Sequence, residues 1–386
     1  MTPTPDSRWS ALQPFLDDAV ARRLAPAAVV GVVSAERELF LGAAGMRDVA
    51  GGAALAPDAI FRLASMTKPI TSLAVMLLAD DGALDVDAEA ARYLPDLARL
   101  RVLTGFDERT GAWESRPPAR PVTIRDLLTH TSGITYAFLD PRLGKIDDGK
   151  KARADVPLLH DPGARFSYGP GTEVLSSIVA AVSGQSIDDF CRTRIFEPLE
   201  MVDTGYAVPA EKIARVVTMQ THEAQGFVER PNPPVVESKS RGHDGLLSTA
   251  SDYGKFIQLF LNGGAVGGRR LAREATVAAM MSNQIGGLTI GLQPAVPGAI
   301  ATPFPIGGEK DVFGFGLQIE TPPVRSSGRS AGSAGWSGIF NTYFWIDPVQ
   351  RLGVTVLMQF LPAHDAGALA ILDGVDRLVY GALHAA

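Results

Sequence analysis

The chain has 386 residues, 46% of them hydrophobic and 20% charged, a composition of the soluble globular kind with length enough for two or three domains. A net charge of −6, with no basic run longer than Arg269-Arg270, argues against a nucleic-acid partner, and no stretch approaches the 18 apolar residues of a membrane span. The single cysteine, Cys191, excludes an intramolecular disulfide and sits in a helical pattern as a buried thiol. The opening residues Met1-Thr-Pro-Thr-Pro-Asp-Ser-Arg lack a basic region followed by an apolar run, so no secretory signal is visible. A cytoplasmic location is expected, or a periplasmic one had a leader been removed.

Leu12, Phe15, Leu16, Ala19 and Val20 predict an opening helix, and Ala27–Ser34 with Glu38–Ala43 predict a hairpin after it. The next element carries chemistry. In Phe61-Arg62-Leu63-Ala64-Ser65-Met66-Thr67-Lys68-Pro69-Ile70 a serine stands three residues before a lysine, just where a helix should begin. Ile70, Leu73, Ala74, Leu77 and Leu78 continue the period to Gly82, so the segment reads as a buried amphipathic helix. Residues three apart share a helix face, which lets the Ser65 hydroxyl meet the Lys68 amine. Serine needs an adjacent base to become a nucleophile, and lysine can be that base only when neutral. Burial disfavours its charge, and so does the positive end of a helix dipole. Ser-x-x-Lys alone would equally suit a capping serine and a surface lysine, so the motif needs company.

Short helical patterns follow at Ile124–Leu128, Thr172–Ser183, Ile187–Phe196 and Tyr253–Leu261, separated by Pro- and Gly-rich connections. Between the first two, Arg165-Phe166-Ser167-Tyr168-Gly169-Pro170-Gly171 presents Tyr168 in a turn. A phenol near a proton-sharing lysine is expected to ionise more easily than a free one and to relay a proton to a leaving group. Residues 137–166 and 284–313 exceed ordinary connection lengths and are candidate walls of a cleft. The C-terminal part returns to strands at Gly314–Glu320, Gly335–Ile346 and Gly353–Met358, the last two joined through the turn Asp347-Pro348-Val349-Gln350. A final helix is marked by Leu372, Val375, Leu378 and Val379. Helix and strands at both ends with helices between predict one antiparallel sheet built from both termini and a helical insertion, with the site where they meet.

Ser65 and Lys68, Leu127-Leu128-Thr129-His130-Thr131-Ser132-Gly133, the Tyr168 turn, Gly245-Leu246-Leu247-Ser248-Thr249 and Gly335-Trp336-Ser337-Gly338 occur in that order. Together they resemble the serine β-lactamase-like superfamily over about residues 10 to 380, and the chain is most similar to its class C β-lactamase-like carboxylesterases, the family VIII esterases. The resemblance implies an α/β (α+β) fold of the β-lactamase/penicillin-binding-protein type. Its antiparallel sheet would be flanked by N- and C-terminal helices, with an all-helical domain inserted. Residues 1–62 and 310–386, with part of 200–310, would form the α/β domain, and 63–200 the mainly helical one. It further implies Ser65 as acyl-accepting nucleophile, Lys68 and Tyr168 as the coupled acid/base pair, and the backbone N–H groups of Ser65 and Ile339 as oxyanion hole. Trp336, Ser337 and Gly338 would line the substrate pocket, and His130 would be a structural turn residue.

Two departures bear on substrate. The Tyr-x-Asn element reads Tyr168-Gly169-Pro170, and Pro170 offers no side-chain amide for a β-lactam or peptide. Trp336 occupies the lysine position of Lys-Thr-Gly, removing a cation whose contact with a substrate carboxylate is worth ~1.5–3 kcal/mol. Small uncharged carboxylic esters with short acyl chains are therefore the expected substrates, with acyl transfer or linear-amide hydrolysis as alternatives at the same site. β-Lactam turnover would be at most a side activity. Gly328-Arg329-Ser330-Ala331-Gly332 matches a nucleophile elbow, yet no strand precedes it and no helix follows. A catalytically silent binding module would lack Ser65, Lys68 or Tyr168, and all three are present. His160, His222, His243, His364 and His384 show no ligand spacing, so neither metal nor cofactor is expected. The partner is a small-molecule ester, and the residues leave homo-oligomerisation open.

Overall fold

The computed structural model describes residues 7–235, 241–292, 309–322 and 328–384. Its helices are α1 (Leu12–Ala21), α2 (Thr67–Asp80), α3 (Ile124–Leu128), α4 (Pro141–Ile146), α5 (Gly171–Ser183), α6 (Ile187–Cys191), α7 (Ala250–Leu261), α8 (Glu274–Met280) and α9 (Ala366–His384). The main sheet is antiparallel and runs Val312–Phe313, Gln318–Ile319, Ala334–Gly338, Thr342–Asp347, Leu352–Leu357, Ala27–Ser34, Glu38–Asp48 and Ala53–Ala54 across its width. Chain ends meet in its middle, where Val30 pairs with Val356 and Val32 with Val354.

The 27–34 strand reads as an unbroken apolar run because both of its faces are covered. Val29 and Val33 point into the core shared with α2, α5 and α7, whereas Ala28, Val30 and Val32 point into a second core beneath α1 and α9. In that second core, Leu12 and Leu16 of α1 meet Ile371, Val375 and Val379 of α9. Gly254 of α7 lies against Val33, and Gly353 admits Ile257, so two glycines let α7 lie close on the sheet.

α2 departs from the amphipathic expectation. Every residue from Thr67 to Leu78 is buried, because the helix runs through the larger core and packs against α5 and α6. Two predicted strands also differ from expectation. Within Gly314–Glu320 only Gln318–Ile319 is a strand, pairing back on Val312–Phe313 across a turn closed by Gly314 N–H on the Leu317 carbonyl, with Gly316 at φ 86°. Gly335–Ile346 becomes a hairpin whose turn, Ile339–Asn341, places Asn341 at φ 61°. The 284–313 stretch lies partly outside the described residues. Among those described, no helix is long and apolar enough to cross a membrane.

Candidate active site

The chain enters the site through Ala64, held at φ 47°, an uncommon conformation for a side-chain-bearing residue. A 3₁₀ turn, Ala64–Met66, then delivers Ser65 to the start of α2. Around it, Leu63 N–H donates to Leu246 and Tyr253 Oη donates to the Met66 carbonyl, 2.9 Å each. The strained turn is thus clamped on both sides by buried structure.

Lys68 Nζ stands 2.8 Å from Ser65 Oγ and 2.8 Å from the His243 carbonyl oxygen. Tyr168 Oη donates to Ser65 Oγ at 2.7 Å. Ser65 is half-buried while Lys68 is 1% exposed, so the hydroxyl is reachable and the amine is not. Burial pulls the Lys68 amine down to about 7, against the opposing pull of Asp244 and Glu173. Near neutral pH a large share of the amine is therefore uncharged. The expected easy ionisation of Tyr168 is overturned. Burial pushes its phenol up to about 12, outweighing the hydrogen bond with Ser65, so the phenol keeps its proton and remains a donor.

Two groups not anticipated complete the surroundings of the amine. Tyr136 lies with its ring centroid 5.4 Å from Lys68 Nζ and 5.3 Å from the Tyr168 ring. The turn after residue 240 supplies the His243 carbonyl and is tied down by Glu173, whose Oε2 accepts from Gly242 N–H at 2.8 Å and from His243 Nδ1 at 3.0 Å. A backbone carbonyl leaves no signature in sequence. The Gly242-His243-Asp244-Gly245 run was the one visible hint.

His130 is a buried turn residue at φ 57°, packed edge-on against Tyr168 and stacked on Trp336. Burial, with help from the Lys68 charge, lowers its imidazole to about 3, and it makes no hydrogen bond to Ser65. Trp336 is buried, with its ring 5.1 Å from the Tyr168 ring. Strand alternation separates Trp336 from Ser337, which opposes Tyr343 on the other face. Gly338 packs on the Ser65 turn, and Thr342 Oγ1 donates to the Leu63 carbonyl at 3.2 Å. Ile339, next in the chain after Gly338, is half-buried.

Ser330 is followed by the 334–338 strand and not a helix, while residues 323–327 lie outside those described. Arg329 beside it is committed to Glu320 and Asp376. The Cys191 thiol is fully buried, and burial pushes its pKa far up. Among the described residues, no three His, Cys, Asp or Glu side chains are arranged to hold a metal ion.

Residues 14–375 match the Beta-lactamase family. Protein Rv1367c of Mycobacterium tuberculosis is 31% identical over 371 residues, covering 91% of this chain and 90% of that protein. Lovastatin esterase of Penicillium rubens is 31% identical over 345 residues, covering 83% and 84%. In fold, the chain resembles a mutant simvastatin synthase from Aspergillus terreus, with a TM-score of 0.84 at 24% identity over 98% of this chain and 96% of that one.

Proposed function

Since the chain belongs to the beta-lactamase family, a family of serine hydrolases and acyltransferases, we propose that it cleaves small carboxylic esters through an acyl-enzyme on Ser65. The observation that carries this is one hydroxyl within hydrogen-bonding distance of both a neutral-prone amine and a protonated phenol. Lys68 takes the Ser65 proton as Oγ attacks the ester carbonyl. With Lys68 then cationic and Tyr168 still protonated, the phenol gives its proton to the departing alkoxide and recovers one from the ammonium. Water enters by the same groups in reverse and releases the acid.

Backbone N–H groups of Ser65 and Ile339 are proposed to hold the tetrahedral oxyanion, a role supported by the packing of Gly338 on the Ser65 turn. Trp336 favours uncharged acyl groups next to the reacting carbonyl, since its indole joins Tyr168 and Phe313 in an aromatic surface at the position where a Lys-Thr-Gly element would place its lysine. The division into 63–200 and the remainder fits this scheme, with the first part supplying Ser65, Lys68 and Tyr168 and the second supplying Ile339.

Hydrolysis of p-nitrophenyl butyrate by the wild type and by Ser65→Ala tests the proposal, beside labelling by a serine-reactive phosphonate with the modified peptide located. We expect Ser65→Ala to lose about three orders of magnitude or more in turnover and to resist labelling. Retained turnover, or a label elsewhere, sinks it. Adding alcohols as acyl acceptors in the same assay separates hydrolysis from transfer.

A further inference from the structure

A cavity of about 800 Å³, within the range of small-molecule sites, lies outside the catalytic cluster. It opens to solvent and is bordered by the turn Pro95–Arg99, residues 147–156 and one face of α5, where Glu173, Val174 and Ser177 follow at helical spacing. It borders the catalytic loop through Pro170, two residues after Tyr168, and through Glu173, which holds the His243 turn. Its apolar lining includes Leu94, Leu97, Val156 and Val174.

The charges in this lining are unequally satisfied. Asp96 pairs with Arg99, Asp147 accepts from Gly149 N–H, and Glu173 accepts from Gly242 and His243. Among the described residues, neither cation of the lining pairs with a carboxylate: Lys151 donates to the Ile146 carbonyl, and Arg153 has the Val156 carbonyl at 3.3 Å. Arg153 Nε is buried without a partner, and burial lowers the guanidinium's pKa, opposed only by Asp147 at a distance. The half-buried Arg153 guanidinium, drawn partly out of water without a paired anion, suits a carboxylate, which its planar fork can hold through two parallel hydrogen bonds.

We propose that this cavity binds an apolar carboxylate, its hydrocarbon body against Leu94, Leu97, Val156 and Val174 and its anionic end on Arg153. The anion belongs either to a distal carboxylate on the ester or to a free acid. Only the first alternative rests on the esterase reading.

Isothermal titration calorimetry of octanoate and of 1-octanol into the Ser65→Ala protein tests it without turnover. Octanoate is expected to bind about tenfold tighter than the alcohol or more. Arg153→Met is expected to erase that preference and Arg153→Lys to retain part of it. Equal affinities for acid and alcohol overturn the proposal, and this comparison needs no change at Arg153. A preference that survives Arg153→Met in a protein with an unaltered melting profile overturns it too. With the wild type, a lower KM for the p-nitrophenyl half-ester of suberic acid than for p-nitrophenyl octanoate assigns the anion to the substrate. Equal KM values, with octanoate inhibiting without raising KM, assign it to a free acid. Failure to hydrolyse either ester counts against the proposed function and leaves the calorimetric result standing.

Discussion

Lys68 is the residue on which the chemistry turns, because it must be deprotonated where most lysines are not. Desolvation is what brings it there, and the neighbouring Asp244 and Glu173 keep it from falling further. The proposed base works when neutral, so activity should fall as pH drops through about 7 and level off above it. An initial-rate profile of ester hydrolysis from pH 5 to 9 checks this, with a flat profile counting against an amine base. The same environment acts in the opposite sense on Tyr168, whose phenol is pushed up to about 12. One apolar pocket thus favours the uncharged form of both groups, an arrangement suited to passing a single proton. Tyr168→Phe should leave Ser65 in place but lower kcat by about 10²-fold or more, since the leaving group loses its donor. Steady-state kinetics, with the extent of phosphonate labelling at Ser65 alongside, decides this.

Among elements, the 334–338 strand and its turn matter most after α2. The strand lies against Ser65 because Gly338 has no side chain: a Cβ there would collide with the Leu63 carbonyl and Thr342 Oγ1. Gly338→Ala should therefore spread the two turns and lower kcat for ester hydrolysis by about tenfold or more, with KM changed less. Equal kcat in the two proteins would remove Ile339 from the oxyanion hole. The turn itself was hidden in sequence, since Ile339, Phe340 and Thr342 are all strand formers. Asn341 breaks the run, and it can hold its left-handed conformation because its side chain is fully engaged. Its Nδ2 donates to the Phe360 and Pro362 carbonyls, and its Oδ1 accepts from Tyr343 Oη and His364 N–H. α3 presents the reverse case. Thr123 and Asp126 cap it reciprocally, and Asp126 also accepts from Arg120 and Thr131, so the turn carrying His130 is pinned by a cap readable three residues apart.

At the scale of the whole molecule, the site is a stability cost borne by two cores. A lysine buried in its folded state and free in the unfolded chain binds its proton more weakly when folded. Stability must then rise with pH between about 7 and the ordinary lysine range near 10.5, since the unfolded state holds the extra proton there. Lys68→Met should accordingly raise the melting temperature at neutral pH, by an amount that shrinks as pH approaches 10. Thermal melts of both proteins across that range would show it, and an unchanged or lower melting temperature at pH 7 would contradict a desolvated lysine. By itself the sequence determined the period of each long element and the spacing that sets Ser65 beside Lys68, because both are local, and strands at both ends with helices between pointed to one antiparallel sheet as the way to bury their apolar faces. Only the tertiary structure decided that α2 is buried on all sides, that Tyr168 holds its proton and that the His243 carbonyl and the Glu173 latch serve the amine. Those depend on how much water is excluded and which distant backbone arrives, quantities that no single segment encodes.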